Sequence, residues 1–267
     1  MVSNLSLGFI CASALITIGL PIALFIYFKI TQGIKAAPMF LGIIGFVLFV
    51  MVLERMLHGV VLKPDENGLI PLMEEEPWNF VLYGIFAAGI FEETARFISF
   101  LILKSSQRGV KTGLAYGIGH GGAESVVLVG LTMANNLILA VVINYGNIAV
   151  LGDSPQILEA MSALKSANPY VFMFGGIERI ITLACQISLS VIVWYSLTGR
   201  KRRLWLFPAA ILLHALVDIP AAMMQAGLLT NMWMVEGALA VGAFITVLIA
   251  YKIHRRLEDV YDYTDFF

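Results

Sequence analysis

Seven apolar runs, each at least 20 residues long, follow one another along this chain. They cover roughly 5–28, 38–62, 79–103, 112–136, 171–197, 205–226 and 230–251. About 20 apolar residues of helix cross the hydrocarbon core of a bilayer. Membrane β-strands are instead short and alternating, so the expected fold is all-α, a polytopic membrane bundle of about seven transmembrane helices. Composition agrees: 13% of residues are charged, against about 25% in soluble domains. The first run ends at Lys29 and has no basic residue before it, which marks a retained span rather than a signal peptide. No soluble domain is visible, so 1–267 reads as one membrane domain. No basic block points to nucleic acid.

Positive charge sets the expected orientation. With seven spans and the N-terminus outside, twelve of the seventeen basic residues fall on the cytoplasmic side: Lys29, Lys35, Lys104, Arg108, Lys111, Arg200, Lys201, Arg202, Arg203, Lys252, Arg255 and Arg256. This is the positive-inside pattern, and it puts the C-terminus in the cytoplasm. The outer loops are then 63–78 and about 137–170. The apolar stretch 110–151 is too long for one span, so 137–151 is either a helix extension or a re-entrant segment. Cys11 and Cys185 both lie in apolar runs and read as two buried thiols.

Three of the runs carry charge at membrane depth. The third contains Glu92-Glu93-Thr-Ala-Arg96, the fourth His120-Gly-Gly-Ala-Glu124, and the sixth His214-Ala-Leu-Val-Asp218. Each such group is unfavourable by about 2.5–3.5 kcal/mol at a helix centre, so a functional role is the default hypothesis. Counted from the inner ends at 1.5 Å per residue, the three motifs lie roughly 15, 12–18 and 14–20 Å deep. Six ionisable side chains thus share one level with Arg96 beside them. His120 and Glu124 share a helix face, as do His214 and Asp218, and Glu92 and Arg96. Glu93 points about 100° away from Glu92. Arg96 is therefore expected to hold one carboxylate while the other faces a cavity. Gly117, Gly119, Gly121 and Gly122 allow close helix approach and would leave room for a substrate backbone. Glu54, Arg55, Glu178 and Arg179 read as structural pairs, with His58 near Glu54.

Desolvation favours a neutral carboxylate and a nearby guanidinium favours a charged one, a balance that suits a general base acting on water. A His–Asp pair can stabilise a developing oxyanion. These are parts of a hydrolase acting through water. His120, Glu124, His214 and Glu92 would also serve as zinc ligands, although the His-Glu-x-x-His signature is absent. A proton- or ion-coupled transporter is the alternative of another class, since transporters also place such groups near the midplane. No inverted repeat is visible.

The three motifs, in this order on separate spans, resemble the YhfC family of bacterial intramembrane proteases, which is similar to the PrsW proteases and the type II CAAX prenyl endopeptidase (ABI) superfamily. The resemblance implies a CAAX-protease-like core over about 79–226, a bacterial plasma-membrane location, and a membrane protein or peptide as substrate. By that resemblance Glu92 activates water, helped by Glu124 or His120. Glu93 and Arg96 hold the first motif together, and His214 with Asp218 forms the oxyanion site. Motif two departs from both patterns: His120 stands where those families have Phe, and Glu124 takes the partner position. No cofactor is required on this reading, zinc being the variant. The cavity is expected to open toward the cytoplasm.

Overall fold

The computed structural model describes residues 1–66, 68–107, 109–146, 152, 154–198 and 203–261, with side chains to Arg256. Arg108, Asp153, Arg200, Lys201, Arg202 and the side chains of the acidic tail lie outside the described residues.

Seven long helices occupy the seven apolar runs. They are α1 (Asn4–Gln32), α2 (Ala36–Val61), α4 (Pro77–Leu103), α5 (Lys111–Tyr145), α7 (Pro169–Thr198), α8 (Leu206–Gln225) and α9 (Met232–Tyr261). Two short helices, α3 (Pro71–Glu75) and α6 (Pro155–Ser166), sit in the connections. Among the described residues, six of the long helices have the length and apolarity to cross a membrane. The seventh, α4, is 27 residues long and carries Glu92, Glu93 and Arg96. The protein is a multi-pass integral membrane protein.

Local chemistry explains the ends. Ser3 caps α1, its hydroxyl accepting from the Ser6 N–H at 3.0 Å. Gly33 closes the helix in the left-handed region at φ 66°, where a residue without Cβ is unstrained. Proline opens α3, α4, α6 and α7, at the position where its missing N–H leaves no intrahelical bond unmade. Residues 137–145 continue α5, which settles that part of the ambiguous stretch as helix extension; 147–151 lie outside the described residues. Asn144, near the end of that extension, ties down the N-terminus by bonding both the N–H and the C=O of Val2 at 2.8 Å.

The core is α7. In its most apolar stretch 72% of residues are buried, against 22–28% in α1, α2, α5, α8 and α9. It packs on α1, α4, α5, α8 and α9, while α2 packs on α5 and α4 on α8. The outer helices turn Leu15, Phe40, Ile102, Leu216 and Phe244 outward, as lipid-facing positions require.

The glycines of α5 work as contact points. A Cβ on Gly117 would lie 2.5 Å from the Ile187 Cα, and one on Gly121 would lie 2.7 Å from the Gln186 Cβ. A Cβ on Gly119 would collide with the Met39 carbonyl oxygen. These positions are filled by α7 and α2, so they do not provide the space for a substrate backbone that the sequence suggested. Cys185 is buried, but Cys11 is exposed on α1, because the α1 face bearing it has no neighbouring helix to cover it.

Candidate active site

The three motifs meet. Arg96, fully buried on α4, donates from Nη1 to Glu93 Oε1 at 2.7 Å and from Nη2 to Glu92 Oε2 at 3.3 Å. One guanidinium therefore holds both carboxylates, where the spacing suggested that it would hold one. The i,i+3 and i,i+4 relations both bring a side chain onto Arg96, and its planar fork can serve two acceptors at once.

His120 on α5 reaches across to Glu92, with Nε2 3.0 Å from Oε2. Its ring is fixed by stacking on Tyr116 at 5.8 Å and by the edge of Phe46 at 5.6 Å. His214 on α8 sets Nδ1 2.7 Å from Glu93 Oε1. Its Nε2 stands 3.3 Å from Asp218 Oδ2 and 3.9 Å from Glu92 Oε1.

Sequence reasoning missed the fourth contributor, α7. Gln186 donates from Nε2 to Glu92 Oε2 at 2.9 Å and to Glu124 Oε2 at 2.5 Å, and its Oε1 accepts from Arg96. Ser190 accepts from Arg96 Nε at 3.2 Å. Arg179 binds Glu178, as a local pair would, but also donates to Glu124 Oε1 at 2.8 Å. A signal was present: Arg179, Thr182, Gln186 and Ser190 recur at helical spacing within an apolar run, which draws a polar stripe down one face. By contrast, Glu54 and His58 form a separate cluster. Their side chains approach to 3.5 Å, and His58 Nδ1 lies 2.8 Å from the Tyr83 hydroxyl.

A polar cavity of about 170 Å³ divides these residues into two groups. Glu92, Glu124, His214 and Asp218 line it, together with Arg179 and Gln186. Glu93, Arg96 and His120 stand behind its wall, each with no exposed surface. The lining runs one way only. On α8 it proceeds from His214 to Asp218, Ala221 and Gln225, and on α7 from Gln186 back to Thr182 and Glu178. Both directions lead away from the end of the bundle that carries Lys104, Lys111 and Arg203. The cavity thus extends toward the end opposite the basic loops, not toward the cytoplasmic end as expected. The reason is that the large side chains Phe100, Tyr116 and Trp194 fill the basic side of the site, the Phe100 ring contacting the other two.

The two oxygens of Glu92 differ. Oε2 takes hydrogen bonds from Arg96, His120 and Gln186. Among the described residues Oε1 takes none, and it faces His214 Nε2.

Zinc would find some of its usual donors here. Glu93 holds His214 Nδ1, leaving Nε2 aimed at two carboxylates; a metal-bound imidazole has the same outer hydrogen bond. Glu92, His214 and Asp218 are donors of the right type. Among the described residues no three such side chains stand ready-assembled around a metal position. His120, which the sequence offered as a ligand, is turned to Glu92 Oε2 behind the cavity wall, and its buried Nδ1 has no partner among the described residues.

The family model described as YhfC intramembrane metalloprotease matches residues 15–253. The membrane protein YhfC of Bacillus subtilis (strain 168) is 34% identical over 259 residues, covering 96% of this chain and 99% of that one. No solved structure matches.

Proposed function

The chain belongs to the YhfC intramembrane metalloprotease family, and from that membership we propose that it hydrolyses peptide bonds of membrane-anchored proteins or peptides at the Glu92–His214–Asp218 site. The observation that carries the proposal is the asymmetry of Glu92: one oxygen is held by three donors and the other is turned to the cavity.

The steps follow from these atoms. Glu92 Oε1 accepts a proton from water, and the water oxygen adds to the scissile carbonyl. His214, oriented by Glu93 and Asp218, donates toward the oxyanion of the tetrahedral intermediate. Glu92 then returns the proton to the leaving amine, as a general base becomes the general acid. Gln186 and Arg96 keep Glu92 Oε2 occupied, so proton traffic is confined to Oε1. Glu124, held by Arg179 and Gln186, lines the same cavity as a further carboxylate. His120 is a positioning residue for Glu92. If zinc binds, Glu92, His214 and Asp218 would hold it, and it would supply Lewis acidity and a more acidic bound water.

The test is cleavage of a quenched transmembrane peptide by purified protein in proteoliposomes, with wild type and Glu92→Gln side by side and the zinc content of each measured. Cleavage by wild type alone supports the proposal. Equal cleavage by both would overturn it, and ion flux without cleavage would make the protein a transporter. Stoichiometric zinc with chelator-sensitive cleavage would make Glu92 a ligand and overturn its role as the base; activity indifferent to chelator keeps that role.

A further inference from the structure

One cavity lies apart from the active site. It is an apolar slot of about 500 Å³ on the seam between α1, α2 and α5, walled by Pro21, Phe25, Met39, Ile43, Gly122 and Val126 among others. At the basic end of the same seam lies a second pocket of about 180 Å³, bordered by Lys35, Ser106 and Lys111 together with Gly33, Gln107 and Thr112. Lys35 and Lys111 are both exposed. We propose that this seam binds one anionic phospholipid, its phosphate between Lys35 and Lys111 and one acyl chain in the slot.

Three observations select that occupant. The first is charge: two lysines border a pocket at the end of the bundle that basic residues mark as cytoplasmic, where anionic lipid heads lie and each nearby Lys or Arg adds attraction. The second is depth. The slot begins at Met39, four residues beyond Lys35, and ends at Val127, sixteen beyond Lys111. It therefore runs from about 6 to about 24 Å below the basic pocket. One leaflet of hydrocarbon is about 15 Å thick, so a chain hanging from that phosphate reaches the nearer half of the slot. The third is size. A helix about 10 Å across and 18 Å long fills roughly 1,400 Å³, too much for 500 Å³, whereas an extended acyl chain is far thinner. The slot walls offer almost no polar surface, so a non-helical peptide would leave its backbone groups unpartnered in lipid.

The consequence concerns α5. Gly119, Gly122 and Ala123 face the slot while His120 and Glu124, on the same two turns, face the active site. A lipid in the slot packs directly on the back of a helix that carries the site.

The experiment is native mass spectrometry of the full-length protein in mild detergent, titrated with phosphatidylglycerol or with phosphatidylcholine of the same acyl chains. Wild type is expected to retain one phosphatidylglycerol about tenfold more tightly than phosphatidylcholine. The double variant Lys35→Gln/Lys111→Gln, altered only at exposed positions, should lose that preference while still binding either lipid weakly. Val127→Trp, which fills the slot, should weaken both lipids. Equal retention of the two lipids by wild type, or an undiminished preference in the double variant, would overturn the proposal. So would a wild-type dimer that takes up neither lipid, which would give the seam to a second copy of the chain.

Discussion

Helix α5 has a cavity on each side, and the two have little in common. On one side His120 and Glu124 enter a network of buried charges around a polar cavity of about 170 Å³. On the other, Gly119, Gly122 and Ala123 border an apolar slot of about 500 Å³. The larger space has no chemistry and the smaller has all of it. In a membrane, apolar volume is filled by lipid at little cost, whereas buried charge persists only where partners repay its desolvation. The density of mutually bonded polar groups, not the size of the hole, locates the site.

The sharpest way to break this contrast is Glu92→Gln. Losing the proton acceptor should reduce turnover about 10²–10⁴-fold, measured as peptide cleavage in proteoliposomes. The unfolding temperature in detergent should barely move, because Gln keeps an oxygen for Arg96 and Gln186. A large fall in unfolding temperature would recast Glu92 as structural. Arg96→Met acts on the buried rear of the same network. It leaves buried Glu93 with His214 alone, its Oε2 having no partner among the described residues, and should destabilise the protein by about 3–5 kcal/mol, read as a lowered thermal midpoint.

Gln186→Leu tests the link between Glu92 and Glu124. Removing both donations leaves two buried carboxylates each short of a hydrogen bond, a change of about 1–3 kcal/mol. Cleavage should fall about 10-fold or more, with the loss in kcat rather than KM. Gly121→Ala probes the α5–α7 contact, where a Cβ would lie 2.7 Å from Gln186. Overpacking there should destabilise by about 1–3 kcal/mol and lower cleavage through displacement of Gln186. At the far end of the scale, Ile22→Ala alters the exposed rim of the slot. Stability should change by less than about 0.5 kcal/mol and cleavage not at all. A loss of cleavage matching that of Gln186→Leu would mean that the two sides of α5 are not independent.

Much of this was legible from residue order. The seven runs gave the helices to within a few residues, except that α5 continues to Tyr145 beyond the fourth run and α9 to Tyr261 beyond the seventh. The i,i+4 spacing of Glu92 with Arg96 and of His214 with Asp218 gave real pairs at 3.3 Å in both cases. What failed was of another kind. Arg179 read as the partner of its neighbour Glu178 and proved also to hold Glu124 from another helix. Gln186, a single amide in an apolar run, looked unremarkable. The glycines of α5 gave the correct idea of close approach but the wrong identity for what fills the space.

The sequence by itself determined that this chain lies in a membrane as a helix bundle, and which three spans carry charge at one depth. Those properties depend on hydropathy and on the rise of a helix, which are local. Only the tertiary structure decided that α7 joins the three motifs, that Glu92 presents one oxygen and not the other, and that the cavity extends away from the basic end. Each of these depends on how far a helix is rotated about its axis and against which neighbour. That rotation is fixed by packing between residues distant in the chain, such as Gly117 against Ile187 and Gly119 against Met39, and no local pattern encodes it.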